Sequence, residues 1–250
     1  MAITGPANPK SYGGIGSSAL TLDSTPVEGA LMVVQFSCQG VSGGTKPTSL
    51  TAPSGFSVAL ESEGDAAQVA RPEWQAVYYK IAGASESTSI AAVGINGGSG
   101  DIKRVQAYNE YQGLDESTPL DVTVAFTDNT STVSTVSIPT TGTLAQADEL
   151  LIGSTVRSND TTVSGTGWAS LSTPATYNFQ VAGVGADQST TIGYLVVSST
   201  SAVQEDFEAT GGNFYQIGMM ATFKQAGGAS GAGTTLSTLH RAQLRHALTR

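Results

Sequence analysis

The sequence predicts an all-β chain: an antiparallel two-sheet β-sandwich, jelly-roll or immunoglobulin-like, with a short helix after it. Three observations predict it. Charged residues make up only 12% of the 250, about half the usual share of roughly 25%. Thr, Ser, Gly and Val take their place, and these suit strands and turns better than helices. Turn clusters interrupt the apolar runs at the short, regular spacing of a sandwich or barrel. The period then changes near the C-terminus, where a Gly/Ala-rich stretch precedes a segment of helical spacing.

The elements follow in order. Residues 1–17, with Pro6, Pro9 and several glycines, read as an extended N-terminal arm. Residues 18–22 alternate weakly. Residues 29–38 are apolar enough to be a buried strand, and residues 56–60 follow the turn Pro53-Ser54-Gly55. Residues 73–81 mix aromatic and β-branched side chains, and 102–111 and 120–126 continue the pattern. In 132–138, Val133, Val136 and Ile138 sit among Ser and Thr, as in a half-buried strand.

The second half resembles the first. Residues 27–36 match 147–156, each an acid and a turn entering an apolar strand. Residues 52–56 match 164–168, where a glycine turn delivers Phe56 or Trp168. Residues 74–81 match 190–197, placing Tyr78 near Tyr194, and 103–111 match 215–223. This reads as a weak duplication of about four strands per half, over 18–126 and 132–224. Neither half alone buries both sheet faces well, so the expectation is one sandwich domain over 18–224.

Residues 225–233 are a Gly/Ala linker, and 234–250 read as a basic amphipathic helix. Thr234 or Thr235 caps its start. Leu236, Leu239, Gln243 and Ala247 form one stripe with Leu244 and Leu248 beside it, and Arg241 and Arg245 lie a turn apart. A helix of this length is marginal alone and needs something to dock on.

Charge divides the chain the same way. Residues 1–224 carry eight Lys/Arg and twenty Asp/Glu, net −12, whereas 225–250 carry three Arg and no acid, net +3. So acidic a body does not attract nucleic acid. Both histidines, His240 and His246, are in the tail. The body therefore lacks a Ser-His-Asp triad and a His/Cys zinc site. Cys38 is the only cysteine, which excludes an intrachain disulfide, and its apolar surroundings read as a buried thiol. The longest apolar run, 30–34, is too short to insert in a membrane.

The remaining chemical candidates are few. Gly14-Ile-Gly-Ser-Ser-Ala19 matches a dinucleotide fingerprint without the strand and helix it needs. The acidic clusters 61–65 and 205–208 read as solvated loop charge, with weak calcium binding as the alternative. Among the aromatics, Trp74, Tyr79, Tyr108 and Tyr177 are candidate glycan contacts. Trp74, Trp168 and Phe56 also read as core plugs at the sandwich ends. Because neighbours on a strand face opposite ways, one of Tyr78 and Tyr79 is expected to point outward.

This order of features resembles a family of β-sandwich domains found in tailed-phage virion proteins and in bacterial surface proteins. Its pattern is carried by the acid-Gly strand at 27–36, the Pro-x-Gly-aromatic turn at 53–56 and the tyrosine strand and turn at 77–86. The tyrosine strand ending in Gly-x-Asp at 105–115 and Thr118-Pro119-Leu120 continue it. The resemblance covers residues 15–224. It implies a decoration, fibre or adhesin module without catalytic residues or cofactors.

The expected function is a non-enzymatic structural protein of a tailed-phage virion, as a capsid decoration, head fibre or tail component. It is attached through its terminal segments, with Leu236, Leu239, Arg241, Leu244, Arg245 and Leu248 at the assembly interface. The expected partners are other virion proteins and further copies of the chain, with neither nucleic acid nor membrane insertion. The start, Met-Ala-Ile-Thr-Gly-Pro, lacks the pattern of a signal peptide. A chain made in the host cytoplasm and carried in the virion is therefore expected. The alternative is a carbohydrate-binding module or adhesin for host surface glycans. A polysaccharide-cleaving enzyme requires a carboxylate pair in a cleft.

Overall fold

The computed structural model describes residues 1–40, 45–64, 72–100, 102–133, 135–138, 141–157, 163–168, 176–181, 188–209 and 214–227. The linker from 228 and the helix expected over 234–250 lie outside the described residues. The described residues are all-β, in antiparallel sheets.

The first half holds β1 (Thr4–Ile15), β2 (Leu20–Thr21), β3 (Leu31–Gln39), β4 (Pro47–Thr51) and β5 (Ser57–Glu63). It continues with β6 (Pro72–Ile81), β7 (Ser89–Ile90), β8 (Gly94–Gly97) and β9 (Lys103–Gln112). The second half holds β10 (Leu120–Val133), β11 (Thr135–Ile138), β12 (Glu149–Arg157) and β13 (Val163–Trp168). After these come β14 (Thr176–Val181), β15 (Gln188–Val197), β16 (Glu205–Ala209) and β17 (Phe214–Lys224). Two five-stranded sheets dominate, ordered β1-β9-β3-β6-β5 and β10-β17-β12-β15-β14. Smaller sheets are β11-β16-β13, β2-β7 and β4-β8.

Side-chain alternation explains the layers. In β3, Leu31 and Val33 face the second large sheet and meet Leu150, Ile152, Met219, Ala221 and Phe223. Met32, Val34, Phe36 and Cys38 face the other way, onto Leu20, Leu22, Ile90, Val93 and Ile102 beneath the small sheets. The second half repeats this behind its own large sheet, where Leu151, Leu195, Val197 and Met220 pack on Ile138 and Leu144. The coarse expectation of an antiparallel sandwich matches this architecture, but the described residues build three apolar layers rather than one core between two sheets. The physical reason is that β3 is apolar on both faces and buried along its whole length, so it needs two covers.

The large sheets pack with β1 over β14, β9 over β14 and β15, β6 over β17, and β5 over β10 and β17. Two aromatic contacts cross between them. Tyr79 meets Phe223 edge-on with centroids 5.6 Å apart, and Tyr111 meets Tyr194 at 5.7 Å. Such pairs add about 0.5–1.5 kcal/mol beyond area burial.

The N-terminal segment corrects the arm expected over 1–17. It is an edge strand of the first large sheet, with Tyr12 opposite Gln106 and Ile15 opposite Lys103. Pro6 and Pro9 suggested a segment outside any ladder. In β1 the ladder shifts register between Thr4 and Ala7 and again between Ala7 and Lys10, which accommodates both prolines. Prolines and Lys10 also blunt an exposed sheet edge. At Gly113 the backbone has φ +83°, and a Cβ there would run into the Ala2 carbonyl.

Both large sheets share one polarity. Leu31, Ile81, Tyr111, Glu149, Val197 and Lys224 lie at one pole, and Gln39, Lys103, Arg157 and Ser189 at the other. The chain begins and leaves the described body at the first pole. Gln225 Nε2 donates to the Met1 carbonyl, and Ala226 N donates to Gly113 O at 2.9 Å.

Ile152→Ala removes side-chain volume from the middle layer. A loss of about 2–5 kcal/mol is expected, in a single urea transition because both halves share that layer. A loss below about 1 kcal/mol would show that the layer holds little of the stability.

Candidate functional site

The four candidate glycan contacts separate. Tyr108 is fully buried in the outer layer of the first half, with its hydroxyl 3.4 Å from Glu110. It is therefore unavailable to a ligand, which corrects its assignment; burial, then the Glu110 charge, raises its hydroxyl pKa. Trp74 is partly buried against the same layer, and its indole N–H points at Pro47 O at 3.4 Å. The core-plug reading fits Trp74 and Phe56, both packed on that cluster. The side chains of Tyr177 and Trp168, and those of 205–208, lie outside the described residues.

Of Tyr78 and Tyr79, Tyr78 lies on the covered face of β6, and Tyr79 is partly exposed at the edge of the middle layer. Tyr78 is buried, and its hydroxyl donates to Glu61 Oε1 at 2.8 Å. Burial, then that hydrogen bond, raises its pKa. Glu61 thereby leaves the proposed acidic cluster for a structural bond. Glu63 pairs with Lys46, and Asp65 lies outside the described residues.

Tyr79 is half-buried and lines an open cleft of about 490 Å³, together with Gly55, Lys80, Glu116, Thr118 and Leu120. The cleft wall is the junction loop 113–119. Asp115 shapes it by accepting from Ser117 N at 2.9 Å, Ser117 Oγ at 2.8 Å and Thr118 N at 3.1 Å. Those bonds hold its pKa down to about 2. Lys80 is tied to Glu86 at 2.7 Å. Burial pushes Glu86 up, but Lys80 and the Gly83 amide outweigh it and leave the carboxyl below its usual range. An aromatic wall beside hydroxyl, ammonium and carboxylate groups suits a neutral, hydroxylated ligand such as a sugar.

The carboxylates that approach one another do so elsewhere. Asp121 and Glu149 meet behind the second large sheet, and Glu149 is fully buried. Asp121 and Glu149 therefore do not form the cleft-lining pair that the polysaccharide-cleaving reading needs. Among the described residues, no group of three or more His, Cys, Asp or Glu is placed to hold a metal ion. Cys38 is buried, as its neighbours imply. No helix among the described residues is long and apolar enough to cross a membrane.

The least legible feature is a polar seam inside the middle layer. On β3 the row that begins with Leu31 and Val33 turns into Gln35, Ser37 and Gln39 towards the second pole. Gln75 and Asn109 flank it on neighbouring strands. Two bonds cross to the second sheet: Gln75 Nε2 donates to Ser154 Oγ at 2.6 Å, and the Ser37 and Thr190 hydroxyls lie 2.6 Å apart. Both amide atoms of Gln35 and Gln39, Gln75 Oε1 and Asn109 Oδ1 have no hydrogen-bond partner among the described residues. Left dry, these six atoms would cost roughly 6–18 kcal/mol, comparable with a whole domain's stability of about 5–15 kcal/mol. Ordered water is the usual partner for such groups. The signal was present in the sequence as a strand whose alternate positions pass from aliphatic to amide.

No protein-family model matches the sequence, and no curated protein or solved structure matches it either.

Gln35→Leu replaces an amide that has no partner among the described residues, so its stability is expected within about 1 kcal/mol of the parent or above it. Ser154→Ala instead strips the acceptor from a buried amide and is expected to cost about 1–3 kcal/mol. Urea unfolding of both variants checks the contrast, and equal effects would contradict this reading of the seam.

Proposed function

We propose that the chain is a non-enzymatic structural component of a tailed-phage particle, fixed to neighbouring virion subunits by residues 228–250. The observation that carries this reading is the chain path. The body is packed in three layers, Met1 and Gln225 meet at one pole, and the chemically distinct basic segment leaves from there. A single exit pole suits a body that is held at one end and presents the other. The family resemblance of residues 15–224 points the same way. On this reading the partners are other virion proteins and further copies of the chain. The apolar stripe of Leu236, Leu239, Leu244 and Leu248 is buried on assembly, and Arg241 and Arg245 meet acidic groups.

The body itself is read as two copies of one sandwich unit about an internal twofold axis. The sheet orders β1-β9-β3-β6-β5 and β10-β17-β12-β15-β14 support this, strand for strand. Leu31 pairs with Ile81 and Tyr111, as Leu150 pairs with Val196 and Phe223. Under that correspondence Tyr79 matches Tyr194 and Tyr111 matches Phe223. The same operation therefore exchanges the two aromatic contacts between sheets. On this reading Tyr194 is the counterpart of Tyr79, one position from the Tyr78 that the sequence match suggests. Such an interface is self-complementary, like that of a twofold dimer fused into one chain.

A chain ending at Gly227 is expected to keep the circular dichroism spectrum of the body and to lose incorporation into particles produced with it. Normal incorporation would overturn the anchoring role. A second reading, host-glycan binding, is favoured by the placement of Tyr79 in the cleft. On a glycan array, saturable binding that weakens at least about tenfold in Tyr79→Ala would establish it. An array with no saturable binding would exclude it for the glycans displayed.

A further inference from the structure

Behind the root of the C-terminal segment, two carboxyl groups close on one loop. Glu149 opens β12 and Asp121 lies near the start of β10, with β17 between those strands. Consecutive amides of loop 141–148 bind them: Ala145 N donates to Asp121 Oδ2 at 2.8 Å, and Gln146 N to Glu149 Oε1 at 3.3 Å. From β17, the Thr222 hydroxyl hydrogen-bonds the Glu149 carboxyl and accepts from Val122 N at 3.2 Å. Glu149 Oε2 is buried and receives no donor among the described residues, and the carboxyl facing Glu149 is that of Asp121. Two ionised carboxylates repel in such a place, whereas one shared proton turns the contact into a hydrogen bond.

We propose that Asp121 and Glu149 form a proton-operated latch that holds residues 145–148, the end of loop 141–148, against the second sheet. With one proton shared, both carboxyls keep their loop amides and the loop is closed. Without it, two negative charges face each other with no cation between them. Of the elements packed around Glu149, β10 brings Asp121, β15 brings Val197, and β17 brings Thr222 and, directly opposite Glu149 in the ladder, Lys224. Lys224 of β17 is turned to Thr118 Oγ1 at 3.1 Å, and the loop adds Gln146 and the exposed Asp148. Opening reaches the chain exit, because Gln146 Nε2 donates to Gln225 O at 3.0 Å, two residues before Gly227. The latch therefore couples pH to the root of residues 228–250, and it stands whether or not that segment anchors the protein in a particle.

The direction in pH follows from the proton balance. Burial raises the Glu149 pKa, the Thr222 hydroxyl opposes it and Asp121 raises it further, to about 7. A folded value above the ordinary 4.5 means that closure is fully supported below the ordinary value. That support is lost as pH rises through about 7.

Hydrogen exchange of the full chain tests this, with rates corrected for intrinsic chemistry. From about pH 5.5 to about pH 8.5, protection of the Ala145 and Gln146 amides is expected to fall at least about tenfold, while that of Leu151 in mid-strand stays level. In Glu149→Gln the protection is expected to be flat across the range. If that variant does not fold, Asp121→Asn serves in its place. A flat profile in the parent, or an unchanged fall in a folded variant, would overturn the latch. So would a carboxyl ¹³C titration of Glu149 at its ordinary value. Particle incorporation is a separate readout, so a failed latch leaves the anchoring role standing and the reverse also holds.

Discussion

Central strands with apolar side chains on both faces set the rest of this architecture. β3 is buried from end to end, and Leu150, Leu151 and Ile152 of β12 are divided between two layers in the same way. An antiparallel strand in a simple sandwich leaves alternate side chains in water. Here that alternative would expose Met32, Val34 and Phe36, or else Leu31 and Val33. Covering both faces requires two further surfaces per half. The small sheets supply the outer ones, and the large sheets supply each other's inner one. The middle layer is therefore a consequence of strand composition as much as of the junction between halves.

That layer is graded along the strands. At the pole where the chain begins and leaves, Leu31, Tyr111, Leu150 and Phe223 exclude water. Towards the other pole the same rows carry Gln35, Gln39, Gln75, Ser154 and Thr190. Apolar contact is non-directional, so it gives adhesion with little preference for one registry of the sheets. The hydrogen bonds from Gln75 to Ser154 and between Ser37 and Thr190 have fixed geometry, and a slip by one residue would break both. Adhesion and registry are thus assigned to different ends of one interface.

The sequence revealed the class of fold because turn spacing and composition act locally. Predicted strands at 29–38, 73–81 and 102–111 agree with β3, β6 and β9 to within one or two residues. It did not reveal the layers, since a continuous apolar run such as 30–34 has the same local pattern whether it is covered once or twice. β1 was missed because its prolines argue against a central strand, and only a partner such as β9 shows that an edge is meant. β4, β7 and β8 are too short to carry a period. For the site, the aromatic list contained one residue that lines the cleft, Tyr79, and one that is buried, Tyr108. Parity along a strand separates odd from even positions but does not say which face is open. The Asp121–Glu149 pair was out of reach altogether, because 28 positions separate two acids that meet only after β17 is inserted between their strands.

The polar groups buried at the two poles differ in what they permit. Amides in the seam keep their charge state at every ordinary pH, so their demand for partners is constant and the registry they impose is permanent. The carboxyl pair is satisfied in one protonation state only. Local opening is cheapest where few apolar contacts oppose it. Leu144 and the backbone bonds of Thr141 and Leu144 hold the first part of loop 141–148 to the outer layer, whereas Ala145 and Gln146 are held at its rim by amide–carboxyl bonds. A change confined to one proton can then loosen the chain exit while the three apolar layers stay closed. Such an arrangement keeps the folded body insensitive to the conditions that act on its terminal segment.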